Sequence, residues 1–135
     1  MFNLFIPMPR VIHFEIQASD IERAIGFYES VFGWEFNRLD SLEYCLIITG
    51  QENERGINGG LVKRASNVPH EGSPSRGYIC TIDVPSADEY CKRVVDAGGA
   101  IEMDKLLIPG AGWLVYCRDT ENNIFGMIEM ASDSD

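Results

Sequence analysis

The sequence predicts an α+β fold made of two similar halves, each a strand, a helix and three further strands. Three observations lead there. The stretch VIHFEIQASDIERAIGFYESVFG, residues 11–33, passes from alternating to helical spacing of its apolar residues. A degenerate copy of it begins near Gly77. The two helix-start signals, Ser19 and Ser86, stand 67 residues apart in a chain of 135, so an internal repeat organises the protein.

On the first strand Ile12, Phe14 and Ile16 alternate with His13, Glu15 and Gln17. Side chains alternate faces along a strand, so an apolar face is expected under the following helix and a polar face toward water or a site. Ser19 with Glu22 three residues on reads as a capping box that opens helix one. Ile21, Ala24, Ile25, Tyr28 and Phe32 give the helix an apolar stripe, and Gly33 supplies its stop. Residues 34–39 and 42–49 read as two strands joined by a polar turn at Asp40-Ser41. Gly59 to Lys63 reads as a fourth strand that starts on glycines.

Residues 65–76, ASNVPHEGSPSR, are rich in Ser, Pro and Gly and read as a linker. Neither half alone is large enough for a good core, so a single domain is expected, with module one at about 10–64 and module two at about 77–130. The second module repeats the plan: a strand over 78–84, a helix capped by Ser86 with Glu89, a stop at Gly98-Gly99, then strands over 100–108, 113–118 and 124–130. The tail from Ser132 is polar and acidic.

Composition narrows the partners. The formal net charge is −10, which repels phosphate backbones and anionic lipid, so neither nucleic acid nor a membrane is expected as a partner. The four cysteines, Cys45, Cys80, Cys91 and Cys117, form no CxxC pair and sit within predicted strands or a helix, which points to reduced structural thiols and a cytoplasmic location. The apolar start MFNLFIPMPR is too short for a membrane span and is expected to pack on the domain or on a second subunit. A homodimer is expected, because half-modules leave open sheet edges.

The paired repeat, together with HFEIQASDIERAIGFYESVFGW, GGL at 59–61, AGG at 97–99 and DTENNIFGMIE at 119–129, resembles the glyoxalase / bleomycin resistance / extradiol dioxygenase superfamily, also called vicinal oxygen chelate proteins. It looks most like the short glyoxalase-related branch without the full metal-ligand set. The resemblance covers residues 9–130 and implies two pseudo-symmetric βαβββ modules forming a curved mixed sheet around a cleft. In metal-dependent members four inward residues bind a divalent ion. Motif by motif those positions fall on His13, near Gly60, on Tyr78 and on Gly126. Only His13 is a good ligand, since glycine has no side-chain donor and a neutral phenol is a poor one. A catalytic metal needs about three protein ligands. No metal and no cofactor are therefore expected, which argues against lactoylglutathione lyase and ring-cleaving dioxygenase activity.

The expected site lies on the polar face of the first strand. His13 suits acid–base work, hydrogen bonding to a ligand, or a packed structural role. Glu15, about 7 Å along the same face, needs a partner if buried. These two are the candidate catalytic residues. Gln17, Gly60, Tyr78, Trp113 and Gly126 are the candidate substrate-binding residues. The glycines leave either room for a bulky ligand or relief in a curved sheet. Tyr78, Trp113 and Tyr116 could stack on a flat ligand or belong to the core. Two functions stay open. One is a small-molecule-binding protein or metal-independent enzyme. The other is a bleomycin-resistance-like protein that sequesters an apolar or aromatic compound.

Overall fold

The computed structural model describes residues 8–39, 44–64 and 77–131. The chain forms eight strands and two helices: β1 (Val11–Ala18), α1 (Ile21–Phe32), β2 (Glu35–Leu39), β3 (Tyr44–Ile48), β4 (Gly59–Lys63), β5 (Ile79–Asp83), α2 (Ala87–Asp96), β6 (Ala100–Ile108), β7 (Gly112–Arg118) and β8 (Ile124–Met130). This is the twofold βαβββ order that the repeat predicts. The pairing is mixed: β1 runs parallel to β4, and the hairpin pairs are antiparallel. The expected turn at Asp40-Ser41, the linker 65–76 and the acidic tail lie outside the described residues.

Contacts divide the described chain into two compact units, residues 12–81 and residues 82–131 with 8–11. In the first the strand order is β2-β3-β4-β1-β5, and in the second β8-β7-β6, with the division falling inside β5.

The first unit is built on the parity of β1. Phe14, Ile16 and Ala18 are buried, while His13, Glu15 and Gln17 are half-buried on the other side. Cys45, Ile47 and Leu61 join the buried three, and Ile25 of α1 closes the cluster from the helix side. Ile21, Ala24, Tyr28, Trp34 and Phe36 pack around it. Each large apolar side chain so buried contributes about 1.5–3 kcal/mol. Ile12 departs from the expected pattern and remains 38% exposed. The β1–β4 ladder begins at Phe14 opposite Gly59, so Ile12 precedes it.

The start of α1 also differs by one residue from the expected capping box. Asp20 is the N-cap, and its carboxylate accepts from Arg23 N–H at 3.0 Å. Asp20 stands directly before the first helical residue, where a side-chain oxygen can reach the third N–H. Ser19 Oγ instead accepts from Arg64 Nη1 at 2.6 Å. Gly33 ends the helix in the left-handed region and donates its N–H to Glu29 O.

The second unit follows the same logic. Ser86 Oγ accepts from Glu89 N–H, as expected, and Glu129 Oε1 of β8 accepts from Ala87 N–H at 2.8 Å. Two of the orphan donors at the start of α2 are thus satisfied. Val84, Val115, Cys117 and Met127 form the core, with Ile82, Tyr90, Cys91, Val94, Ile101 and Phe125 around them.

Candidate functional site

Strand parity decides which expected site residues share a face. In the first unit the side away from α1 carries His13, Glu15 and Gln17 from β1. Alternation adds Tyr44, Leu46 and Ile48 from β3, and Gly60 and Val62 from β4. The ladder sets Glu15 opposite Gly60 and Gln17 opposite Val62. Gln17 Nε2 donates to Glu15 Oε2 at 3.4 Å.

The residue that completes this group is Tyr44. Its hydroxyl lies 3.3 Å from Nε2 of His13. A Cβ at Gly60 would run into the Tyr44 hydroxyl, with the ring carbon Cζ at 2.5 Å. The room left by the missing side chain at Gly60 is therefore filled by the Tyr44 phenol. Gly60 reads accordingly as the seat of that ring. One signal in the sequence could have pointed to Tyr44: it alternates with Cys45 in the apolar run LEYCLII, so it must face away from the core.

Burial and charge set the protonation of this group. Desolvation lowers the pKa of His13 below 6.5, partly opposed by the Glu15 carboxylate. The imidazole is neutral at pH 7. The Tyr44 phenol is pushed up to about 12, first by burial and then by the negative charge of Glu15 and by Cys45, so it keeps its proton. A histidine whose pKa is lower folded than unfolded binds fewer protons in the folded state. Its stabilising contribution is present above pH 6.5 and lost as the pH falls toward the folded value. Urea titrations from pH 7 downward should therefore show a smaller acid-side loss for His13→Ala than for the parent. Identical slopes would contradict the burial of a neutral imidazole.

Tyr78 does not join His13. Its ring stacks on Phe14, with centroids 5.8 Å apart, and its hydroxyl pairs with that of Tyr28 at 2.8 Å. It therefore stands on the α1 side of β1, in one aromatic group with Tyr28, Phe32 and Trp34. Trp113 likewise shares the parity of Val115 and Cys117, which pack with Cys91 of α2. Lys105 Nζ sits 4.8 Å from the centre of its ring. Both aromatics were expected at a ligand, and both lie on helix-covered sides. Gly126 lies on the other side of β8 from buried Met127, opposite Tyr116 in the β7–β8 register.

This geometry tests whether the superfamily's divalent metal fits. Gly60 and Gly126 offer no donor atom, and Tyr78 is turned to the far side of β1 with its hydroxyl engaged. Among the described residues no three His, Cys, Asp or Glu side chains stand close enough together to hold an ion. The described residues do not fit the metal.

Residues 10–50 match the family model described as bleomycin resistance protein-like N-terminal. Solved structures align over nearly the whole chain. A hypothetical protein from Bacillus halodurans C-125 matches with a TM-score of 0.64 at 14% identity, covering 96% of this chain and 99% of that one. Methylmalonyl-CoA epimerase from Mycobacterium tuberculosis gives 0.59 at 15%, over 92% and 89%. A Streptomyces coelicolor methylmalonyl-CoA epimerase variant in complex with 2-nitronate-propionyl-CoA gives 0.61 at 12%, over 93% and 97%. The fold is that of the glyoxalase/bleomycin resistance superfamily. At these identities the glyoxalase-like likeness is one of fold. A search of curated proteins returned no match. Among the described residues no helix is long and apolar enough to cross a membrane.

Proposed function

We propose that this chain is a small-molecule-binding protein of the glyoxalase/bleomycin resistance type that works without a metal. Its ligand lies against the helix-free face of β1, in contact with His13, Glu15 and Gln17. The observation that carries this reading is the polar trio itself. A carboxylate and an imidazole are held half-buried on a face that also carries apolar Leu46, Ile48 and Val62. Half-burying such groups costs solvation that a fully solvated face would keep, so their placement points to a ligand with an apolar or aromatic body and a polar group. Tyr78 and Trp113 lie on helix-covered sides and are not part of that helix-free face.

A second reading, a metal-independent enzyme, is favoured by one feature: a neutral imidazole and a carboxylate are two residues apart on one strand face. Turnover of the bound compound separates the two. We also propose a homodimer. Its support is the exposed end strand β6, where Leu106 and Leu107 are 50% and 53% exposed. A cytoplasmic setting is supported by the four cysteines, all of which are free thiols.

Native mass spectrometry of protein purified from its source tests these readings together. The expected species is a dimer that carries an organic ligand and no stoichiometric transition metal. With the ligand so recovered, His13→Ala and Glu15→Gln should each change stability by no more than about 1 kcal/mol and lose binding. One tightly held Zn, Ni, Mn or Fe per chain would overturn the proposal. So would undiminished binding by both variants.

A further inference from the structure

We infer that Tyr44 is the positioning residue of the site, and that its phenol donates to Nε2 of His13 and so holds the imidazole in the Nδ1–H form. The inference deepens the proposed function and rests on His13 being a ligand contact, but its test needs no ligand.

Two geometric observations carry it. The Tyr44 hydroxyl is 3.3 Å from Nε2, across β4 from β1. The ring that brings it there occupies the space that Gly60 leaves open, so any larger residue at position 60 would push the hydroxyl away. The contact can run in either direction only if both groups are neutral. The burial that keeps the imidazole uncharged and the phenol protonated satisfies that condition. Of the two directions, O–H to nitrogen is the stronger. A phenol is a better donor than a neutral imidazole N–H, and an sp² ring nitrogen is a better acceptor than a phenol oxygen. With Nε2 accepting, the ring's single proton resides on Nδ1.

The consequence concerns what His13 can do. Its usual basic nitrogen is already taken, so His13 enters the site as a hydrogen-bond donor through Nδ1 and not as a proton acceptor at Nε2. Proton abstraction in any turnover falls to Glu15, the carboxylate on the same strand face.

Long-range ¹H–¹⁵N spectra of the uniformly labelled full chain read the tautomer directly. The sequence holds two histidines, His13 and His70, and His13→Gln assigns the signals. At pH 8 the expected pattern for His13 is a protonated Nδ1 and an unprotonated Nε2. In Tyr44→Phe, which keeps the ring over Gly60 and removes only the hydroxyl, the pattern should shift toward the Nε2–H form that free histidine prefers. Gly60→Ala should do the same by displacing the ring. A parent that already shows Nε2–H would overturn the inference. A tautomer that Tyr44→Phe leaves unchanged would overturn it too, since Tyr44 would then only fill space.

Discussion

Phe14→Ala is expected to lower stability by roughly 3–5 kcal/mol, the cost of removing a large aromatic side chain from a packed core. Phe14 is 8% exposed and sits where the two apolar layers of the first unit meet. Its ring lies 5.9 Å from that of Trp34 and stacks on Tyr78, and Gly59 of β4 lies opposite it in the ladder. Truncation leaves both aromatic partners facing a void, and Trp34 is itself coupled to Tyr28 and Phe32. Ile12→Ala is the control on the same strand. It has the same parity but lies ahead of the ladder, so its loss should be about 1 kcal/mol or less. Urea unfolding with an unchanged slope gives both numbers. If Phe14→Ala cost no more than Ile12→Ala, the assignment of the apolar face would be wrong.

Gly112→Ala is the second large effect. Gly112 begins β7 with a φ of +138°, in a region that L side chains rarely adopt. A Cβ there would strike the Glu129 carbonyl oxygen and approach Ala131 N to 2.9 Å. Both obstacles are backbone of the neighbouring strand and its exit, held in the β7–β8 ladder that pairs Gly112 with Met130. Backbone strain and overpacking each cost roughly 1–3 kcal/mol, so on the order of 2–6 kcal/mol is expected together. Gly110→Ala separates the two contributions. Its φ is +81° but a Cβ would meet nothing within 4 Å, so only the conformational part remains. Thermal or urea unfolding of the pair measures the difference. Equal losses would mean that the ladder at Gly112 yields easily.

Much of the fold was legible because its signals are local. The N-cap at Ser86, the glycine stop at Gly33 and the alternation along β1 from His13 onward each depend on a few adjacent residues, and all three appear as read. The α1 cap moved from Ser19 to Asp20 because two acceptable cap residues stand side by side. What chose between them is Arg64, 45 residues away, whose guanidinium engages Ser19.

The site was legible only in part. His13, Glu15 and Gln17 share a face by period alone, and the structure places them so. Tyr78 illustrates the limit. It stands just before β5, and nothing in GYICTIDV says which side of the sheet the ring takes. The stacking on Phe14 decided it. Trp113 went the same way through its shared parity with Val115 and Cys117.

By itself, then, the sequence determined the twofold strand–helix–strand order, the apolar stripe of α1 and the polar face of β1, since periods of 2 and 3.6 residues belong to the chain locally. Only the tertiary structure decided that Tyr44 meets His13 and that Gly60 is small to admit it. Those facts depend on the register across β3, β4 and β1, and register is set by which distant side chains can be buried together.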